Sequence, residues 1–582
     1  MKKFKRVVCI LLSIALIFSF VSVIGYAREN EEKYEDYPVI IVPGLLENEL
    51  IKDKGTKNET RVWPPQISPV ASLILKNFPA LMRGTTKKEY EKGSEAVVKI
   101  AETIFEPLKT NDDGSSYYDI KPLTETAEES SYTALKKAGL LSVTPTGRKL
   151  LSDVAEKIGG DNCFVFQYDW RLDAVTCVEK LKTFVDDVLK ITGKDKANVI
   201  GNSYGCELWL EYLNEYGNNS HLNNIVFNSP AFAGSEMFNI IMNDDESLMD
   251  AKAEIALDMI LRDKGIDLDL EDITSFIDKG FINKCVYDVI QKCALKYVTT
   301  WGCVWGVCPT DLYDEYRNIY LDDNKNAALL KVEDYMHKDT MANISEILIK
   351  AQKKSINVNI LTGEGVELAT GNHMNGDGLV DVKCSTGGTG LSTDKFFDED
   401  YVQAVQDGHD HISPSRQTDV SNGYLPENTW VVYGMEHCQE YDDKDLRKLA
   451  EKLLMTRDIT DVYSDENYPQ FLESHNPKDC VSLRIDGSAQ SVIDSNSNEI
   501  KAVIKNDSLW RFATVKSITI NGVPYEITGG KGLLLPNMKK SVTLKRIEGD
   551  VESTQCSITV NYVEFPSFKA NSERTQYFKV VK

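Results

Sequence analysis

The spacing of apolar residues divides this chain into a long region of alternating strands and helices and a later region of strands alone. Residues 39–42, 197–200 and 355–361 are short runs rich in apolar and β-branched side chains, which are typical of buried strands. Leucines recur at helical spacing within residues 443–455. Strands that alternate with helices predict an α/β fold with a mostly parallel sheet.

From residue 480 onward the pattern changes to short alternating runs, and the pairs Asn521-Gly522 and Gly529-Gly530 are turn signals between them. We therefore predict a C-terminal all-β, sandwich-like domain over residues 478–582, a length within the usual domain range. It carries no catalytic constellation. This domain could bind a cell wall or a carbohydrate, or it could simply cover the rest of the chain.

The most informative motif is the Gly-Asn-Ser-Tyr-Gly sequence at residues 201–205, which lies between an apolar run and a helical one. A nucleophile elbow requires a sharp turn from strand to helix, and small residues must flank the serine because backbones approach closely there. A chance match in a surface loop is the alternative. The strand and helix on either side favour the elbow, and we predict that Ser203 is a nucleophile.

The base of such a site is expected in the loop between the last strand and the last helix of the sheet. His437 follows a β-rich run at residues 430–433 and precedes the predicted helix 443–455. His409 and His411 fall in a polar loop and are expected to be solvated, or to bind a metal adventitiously. His337 is expected on an exposed acidic helix. We therefore predict His437 as the general base.

The acid is predicted to be Asp377. It lies in a Gly-Asp-Gly sequence that follows the expected strand 355–361, where a carboxylate can accept from the histidine Nδ1–H. Asp381 is the nearby rival, but its apolar surroundings suggest a strand or its flank. A third part of the site is expected after strand 39–42, where backbone N–H groups and that of Tyr204 would bind an oxyanion.

These motifs together resemble the lecithin:cholesterol acyltransferase family, which includes phospholipid:diacylglycerol acyltransferases and related phospholipases. The resemblance covers roughly residues 36–455 and rests on short motifs with long unmatched stretches between them. Leu379 stands where the family usually has threonine, and Asn202 where histidine is frequent. The motifs, in chain order, are Pro-Val-Ile-Ile-Val-Pro-Gly at 38–44, Val-Trp-Pro at 62–64, Tyr-Asp-Trp-Arg-Leu at 168–172, the elbow, Gly-Asp-Gly-Leu-Val at 376–380 and Gly-Met-Glu-His at 434–437.

The resemblance implies an α/β-hydrolase fold, the triad Ser203, Asp377 and His437, and a lipid ester as substrate. It also implies that the backbone N–H groups of Leu46 and Tyr204 form the oxyanion hole. Asp169 and Arg171 would be structural. No metal and no organic cofactor is needed for this chemistry.

We expect the α/β-hydrolase core to occupy residues 28–236 and 351–460. Its first part would contain a lid-like insertion at about residues 51–161, and a helical cap insertion would occupy residues 237–350, where hydrolases cover the acyl pocket.

Two features of these insertions bear on substrate binding. Residues 68–82 are strongly apolar with a single charge, and they form either a helix packed on the core or part of a lipid-contacting lid. Trp301 and Trp305 in the cap either line the acyl pocket or pack in the core.

The N-terminus predicts export. Four basic residues precede an apolar run at 7–24 and then Gly25-Tyr26-Ala27, so cleavage of a signal peptide over residues 1–27 is expected, with an uncleaved anchor as the alternative. The net charge is −23 and becomes more negative without the leader, which disfavours nucleic acid and anionic membranes as partners. Any lipid interface would be held by apolar contact.

Export also permits disulfides among the twelve cysteines, and Cys303 with Cys308 would close a small loop.

The sequence therefore predicts a secreted serine hydrolase or O-acyltransferase that acts on lipid or other carboxylic esters through an acyl-enzyme. A true phospholipid:sterol or diacylglycerol O-acyltransferase is one alternative. A non-enzymatic surface protein that uses the hydrolase fold as a scaffold is the other.

Overall fold

The computed structural model describes most of the chain, and from Tyr37 onward the described residues form one compact unit; the described residues before Tyr37 belong to a second. The expected leader and the apolar segment 68–82 lie outside the described residues. The described residues are 34, 36–65, 90–141, 147–219, 221–244, 279–369, 372–438, 441, 443–474, 481–485, 492–494, 499–506, 511–529, 532–536, 538–546, 555–565 and 572–581.

The strands before residue 474 build one large sheet and two small ones. They are β1 (Val39–Val42), β2 (Leu50–Lys52), β3 (Thr60–Trp63), β4 (Ile120–Pro122), β5 (Cys163–Val165), β6 (Ala197–Asn202), β7 (Leu222–Asn228), β8 (Asn357–Glu364), β9 (Thr389–Gly390), β10 (Thr418–Asp419), β11 (Thr429–Tyr433) and β12 (Phe471–Glu473).

The large sheet has seven strands in the order β12-β11-β8-β7-β6-β1-β5, and every neighbouring pair is parallel. The chain enters at β1, adds β5 on one side and then continues with β6 on the other. Such a reversal of strand order opens a crevice at the carboxyl ends of the strands, where α/β proteins place their ligands. β6, β7 and β8 are buried at every position, as a sheet covered on both faces requires.

Helices cover both faces of this sheet, and together they confirm the α/β-hydrolase fold. The α-helices are α1 (Tyr90–Phe105), α2 (Tyr132–Ala138), α3 (Arg148–Ile158), α4 (Ala174–Thr192), α5 (Tyr204–Tyr216), α6 (Glu236–Met242), α7 (Lys279–Val289), α8 (Leu295–Val298), α9 (Gly302–Gly306), α10 (Tyr313–Tyr320), α11 (Ala327–Tyr335), α12 (Ile344–Lys353), α13 (Val382–Thr386) and α14 (Lys444–Met455). Among the described residues, none of these helices combines the length and apolar character needed to cross a membrane.

The sheet extends beyond residue 460, the expected end of the second core segment. β12 pairs in parallel with β11 through Val431 and Phe471, so the core continues to Glu473. Three residues are too few for the run to stand out as a strand in the sequence, and only its pairing with β11 identifies it.

The C-terminal region is the expected all-β domain. Its strands form one nine-stranded sheet, antiparallel except for the β14–β21 pair, with a separate apolar core. The strands are β13 (Val481–Ile485), β14 (Val492–Asp494), β15 (Glu499–Asn506), β16 (Phe512–Ile520), β17 (Val523–Thr528), β18 (Leu533–Leu534), β19 (Lys539–Arg546), β20 (Gln555–Phe565) and β21 (Ser572–Val581).

This sheet curls until its first strand approaches its other side. The side-chain amide of Gln576 on β21 accepts from the backbone N–H of Leu483 on β13 at 2.9 Å and donates to its carbonyl at 3.0 Å. A side chain thus replaces the strand pairing that would close the barrel. The domain is therefore nearly a barrel, with fewer open edges than two separate sheets would have.

Candidate active site

Ser203 lies at the turn between β6 and α5 in a backbone conformation that non-glycine residues rarely adopt, with φ 50° and ψ −127°. The packing around it explains both flanking glycines. A Cβ at Gly205 would lie 2.4 Å from the carbonyl oxygen of Val42, and one at Gly201 would lie 2.7 Å from the oxygen of Gly205. The motif therefore has the strand–turn–helix geometry of a nucleophile elbow.

Asp377 and His437 form a hydrogen bond, with 2.7 Å between Asp377 Oδ2 and His437 Nδ1. The Asp377 side chain is fully buried, and that of His437 is 9% exposed. The backbone N–H of His437 also donates to the Asp377 carbonyl at 2.8 Å, which fixes the two residues at a second point. Because Nδ1 is bound to the carboxylate, any proton exchange with a nucleophile would take place at Nε2.

The other oxygen of Asp377 is held by the backbone. Its Oδ1 accepts from the N–H groups of Leu379 at 3.0 Å and Val380 at 2.8 Å. These two bonds fix the orientation of the carboxylate. The carboxylate can therefore hold the imidazole in one tautomer and stabilise an imidazolium.

Asp381, the rival acid, has a different place in the fold. Its Oδ1 accepts from the backbone N–H of Cys384 at 3.0 Å, which caps the N-terminus of α13, and its Oδ2 accepts from the N–H of Glu236 at 3.2 Å. Both oxygens are thus used by helix N-termini.

The end of β7 connects the elbow to the histidine loop. The Ser203 N–H donates to the carbonyl of Asn228 at 2.9 Å, and the next residue, Ser229, accepts at its Oγ from the N–H of Cys438 at 3.3 Å. The elbow and the residue after His437 therefore contact consecutive residues at the carboxyl edge of the sheet.

The loop after β1 passes directly beside the elbow. A Cβ at Gly44 would lie 2.8 Å from Ser203 Cβ, so only glycine fits there without a shift. Leu46, two residues on, has a positive φ of 64° and is half exposed. Tyr204 is fully buried, and its hydroxyl donates to the carbonyl of Leu172 at 3.3 Å. The roles of the Leu46 and Tyr204 backbone N–H groups remain predictions.

Three aromatic side chains anchor this loop through its carbonyl groups. The Tyr168 hydroxyl donates to Pro43 O at 2.8 Å, and Trp170 Nε1 donates to Asn48 O at 3.2 Å. Trp63 Nε1 donates to Leu46 O at 2.6 Å, and its ring packs edge-on against Trp170 with 5.6 Å between centroids. The Val-Trp-Pro and Tyr-Asp-Trp-Arg motifs thus hold one loop in place.

Asp169 and Arg171 lie behind these aromatics as a buried, two-pronged ion pair. Arg171 Nε donates to Asp169 Oδ1 at 2.9 Å and Nη2 donates to Oδ2 at 2.6 Å. The guanidinium also donates to the carbonyl of Leu108 at 2.8 Å and to Ser116 Oγ at 2.7 Å. A fully buried arginine needs several hydrogen-bond acceptors of this kind to offset the loss of water. The pair ties residues 108–116 to the segment after β5 that carries Tyr168.

The all-β domain contacts both flanks of the histidine loop. Tyr577 packs edge-on against Tyr433, which ends β11, with 5.0 Å between ring centroids. Arg484 pairs with Asp443, which caps α14, at 3.2 Å and also with Asp445. The segment that bears His437 therefore begins and ends at contacts with this domain.

Burial corrects the expected solvation of two histidines and decides between the two alternatives for two tryptophans. His337 and His411 are 2% and 0% exposed rather than solvated. Trp301 and Trp305 are also buried, and each indole N–H donates to a backbone carbonyl, so both pack in the core rather than line a pocket. The residue type alone could not reveal this burial, because the burial of each side chain depends on segments that are distant along the chain.

Cys303 and Cys308, which could have closed a small loop, are both buried free thiols. Burial raises the pKa of each above its usual range, which makes them poor nucleophiles.

Sequence reasoning also missed two carboxyls beneath the elbow. Glu207 in the first turn of α5 and Glu333 on α11 are buried, and burial raises the pKa of both well above the usual range. Neither oxygen of Glu207 has a hydrogen-bond partner among the described residues. Nothing in the sequence distinguished Glu207 from an exposed helical glutamate.

The comparisons with known proteins do not assign this chain to a family. No protein-family description and no curated protein matches the sequence. The solved structures that resemble it include the phospholipase PlaB from Legionella pneumophila, at a TM-score of 0.25 and 10% identity, over 74% of this chain and 88% of PlaB. They also include the Bacillus licheniformis lipase BlEst2 in propeptide form, at a TM-score of 0.23 and 9% identity, over 73% of this chain and 88% of BlEst2. Likeness at these scores carries no argument about function, which has to come from the site itself.

Proposed function

We propose that this protein is a serine hydrolase of carboxylic esters, with lipid esters as its substrates. The observation that carries the proposal is the 2.7 Å contact between Asp377 and His437 at the sheet edge where Ser203 occupies a strained elbow. The order Ser, Asp, His along the chain is that of α/β-hydrolases. The motifs shared with the lecithin:cholesterol acyltransferase family point to lipid esters.

In the proposed reaction His437 Nε2 removes the proton of Ser203 as its Oγ attacks the ester carbonyl. Asp377 stabilises the imidazolium that forms. The oxyanion of the tetrahedral intermediate accepts from the backbone N–H groups of Leu46 and Tyr204, each worth about 3 kcal/mol of transition-state stabilisation. His437 then protonates the leaving alcohol, and an acyl-enzyme remains.

Water or an alcohol can take the acyl group from Ser203. Transfer exceeds hydrolysis only where a bound alcohol reaches an effective concentration above that of water or where water is excluded. Half of the Leu46 side chain is exposed beside the elbow, so this part of the described site is open. We therefore propose hydrolysis as the main reaction, with transfer to a lipophilic alcohol when one is supplied.

Export of the enzyme is part of the proposal. It is supported by the basic residues and the apolar run that precede Ala27. The mass of the protein recovered from the medium of an expressing culture would show whether residues 1–27 are removed.

A fluorophosphonate probe tests the serine assignment directly. The native protein should be labelled once, at Ser203, and Ser203→Ala should not be labelled. Exposed serines elsewhere are the internal control. No labelling, or labelling away from residue 203, contradicts the proposal and favours a non-catalytic scaffold.

Product analysis separates hydrolysis from transfer. The protein is incubated with a phospholipid in the presence and absence of a sterol or a diacylglycerol. Mostly free fatty acid supports the hydrolase, and mostly new ester identifies an acyltransferase.

A further inference from the structure

A second cluster of polar side chains lies at the amino edge of the central sheet, where its strands begin and opposite the edge that carries Ser203. Asp407, His409 and His411 occupy one loop, and the atoms they offer as ligands lie within 4.8 Å of one another. His411 contacts Gln470, the residue before β12, and His409 contacts Glu427, which precedes β11 by two positions. The cluster is therefore at the amino ends of β11 and β12, whereas His437 follows the carboxyl end of β11.

The buried ring of His411 has one nitrogen fixed as a donor. Gln470 Nε2 donates to the carbonyls of Pro426 at 2.6 Å and Thr429 at 3.2 Å, so the amide oxygen must face the histidine. That oxygen lies 2.8 Å from His411 Nδ1, which must therefore carry a proton.

This leaves Nε2 of a neutral His411 without a proton and 2.9 Å from the Asp407 carboxylate. Two acceptors at that distance repel each other unless a positive charge lies between or beside them. The His411 side chain is fully buried and Asp407 is about one-third exposed, so the pair opens towards solvent on one side. Either a second proton on His411 or a bound cation supplies this positive charge.

His409 supplies the argument for a cation. Its Nδ1 lies 3.2 Å from Glu427 Oε1, which leaves its other ring nitrogen as a ligand. Metal-bound histidines almost always donate their second ring N–H to a carboxylate or a carbonyl, which orients the ring and raises its basicity. His411 has Gln470 in that position and His409 has Glu427.

The loop itself is held in place before any ligand binds. Gln403 is buried, donates to the carbonyls of Val405 and His409, and accepts from the N–H of His411 at 2.9 Å. The N–H of His409 donates to Asp407 Oδ1 at 2.9 Å. A loop with this arrangement loses little freedom on binding a metal.

We propose that Asp407, His409 and His411 bind a zinc ion, with water as the fourth ligand. Two imidazoles and one carboxylate suit Zn²⁺, whereas Ca²⁺ and Mg²⁺ prefer all-oxygen sites. β11, with five residues at about 3.3 Å each, separates this site from the His437 loop by roughly 16 Å. The ion therefore stabilises the loop against the sheet and takes no part in ester chemistry.

Binding of Zn²⁺ to the metal-stripped full-length protein, measured by isothermal titration calorimetry, tests the proposal. We expect one site that Ca²⁺ and Mg²⁺ do not fill, and a cobalt-substituted protein with the visible absorption of a tetrahedral site. His409→Ala, at a half-exposed position, should weaken Zn²⁺ binding at least about tenfold. Ser203→Ala should bind Zn²⁺ as the unaltered protein does, so this result does not depend on the proposed hydrolase function.

His373→Ala is the matched control, because His373 is exposed and also pairs with a glutamate, Glu367, at 2.9 Å. It should leave zinc affinity unchanged. Equal affinity in His409→Ala and the unaltered protein overturns the proposal. Absence of zinc binding also overturns it, and a His411 ring that NMR shows to be doubly protonated would then identify an ion pair with Asp407.

Discussion

The two edges of the central sheet, where its strands end and where they begin, each carry a histidine beside an aspartate at nearly the same distance. At the carboxyl edge His437 faces Asp377 at 2.7 Å, and at the amino edge His411 faces Asp407 at 2.9 Å. The pairs differ in the ring nitrogen that meets the carboxylate. Asp377 binds Nδ1 of His437, whereas Asp407 faces Nε2 of His411 and Gln470 occupies its Nδ1.

This difference decides what each pair can do. A general base exchanges a proton with the nucleophile through the ring nitrogen that does not face the carboxylate, which in His437 is Nε2. Both nitrogens of His411 already face protein atoms. Proximity of histidine to aspartate is therefore a poor indicator of catalysis, and the partners of both ring nitrogens are a good one.

The largest expected effect separates the two histidines. Ser203→Ala and His437→Ala should each lower ester turnover by several orders of magnitude, because single losses from a unit cost nearly as much as its complete removal. His411→Gln should change kcat by less than about threefold per folded molecule. Turnover of p-nitrophenyl esters of increasing chain length measures both. If His411→Gln were the severe change, the base would have to be assigned to the amino edge.

The two aspartates should differ almost as much. Asp377→Asn should lower kcat by about 10⁴, because the asparagine amide favours the wrong tautomer of the histidine. Asp407→Asn should leave kcat unchanged and weaken zinc binding. Steady-state kinetics and zinc titration of both variants give the complete cross-comparison. A small effect of Asp377→Asn would make Asp381 the acid to examine next.

A smaller loss is expected where the fold positions the carboxyl edge without touching the substrate. Tyr168→Phe removes the bond to Pro43 O, and we expect kcat to fall about tenfold with little change in KM, because a small misplacement of catalytic groups is costly.

Tyr313→Phe is the control for this change. It removes a hydroxyl that donates to Asp334 at 3.1 Å from another buried tyrosine. It should alter stability without altering kcat. Equal kcat in the two variants would show that the anchor of the Pro43 loop has no effect on turnover.

The smallest effect concerns the buried carboxyl beneath the elbow. Because the folded pKa of Glu207 is raised, the folded state keeps a proton that the unfolded state loses above about pH 4.5. The free energy of unfolding therefore falls as the pH rises through that range and up to the folded pKa. Glu207→Gln removes this pH-dependent loss of stability. The Tm of the variant minus that of the unaltered protein should therefore be about 2 °C larger at pH 8 than at pH 5.

Differential scanning calorimetry at both pH values measures this shift. Glu156→Gln, on the exposed side of α3, is the control and should show no such dependence. A Glu207→Gln difference that does not change with pH would mean that this carboxyl ionises in the folded protein.

Local patterns predicted much of what the structure contains. The elbow could be recognised from five residues because glycine is required wherever a backbone approaches this closely. The parallel sheet followed from short apolar runs that alternate with helices, and the all-β domain from its turns. The choice of Asp377 over Asp381 rested on position along the chain, and the hydrogen bond to His437 now supports it.

By itself the sequence determined the fold class, the elbow and the order of its three candidate catalytic residues, since each depends on neighbours within a few positions or on chain order. Only the tertiary structure decided that Tyr168 anchors Pro43, that His411 is buried against Gln470 and that Glu207 has no hydrogen-bond partner among the described residues. The first two contacts join residues 125 and 59 positions apart. Burial and hydrogen-bond partners at such separations are set by how the layers pack, and no local pattern of apolar and polar residues records them.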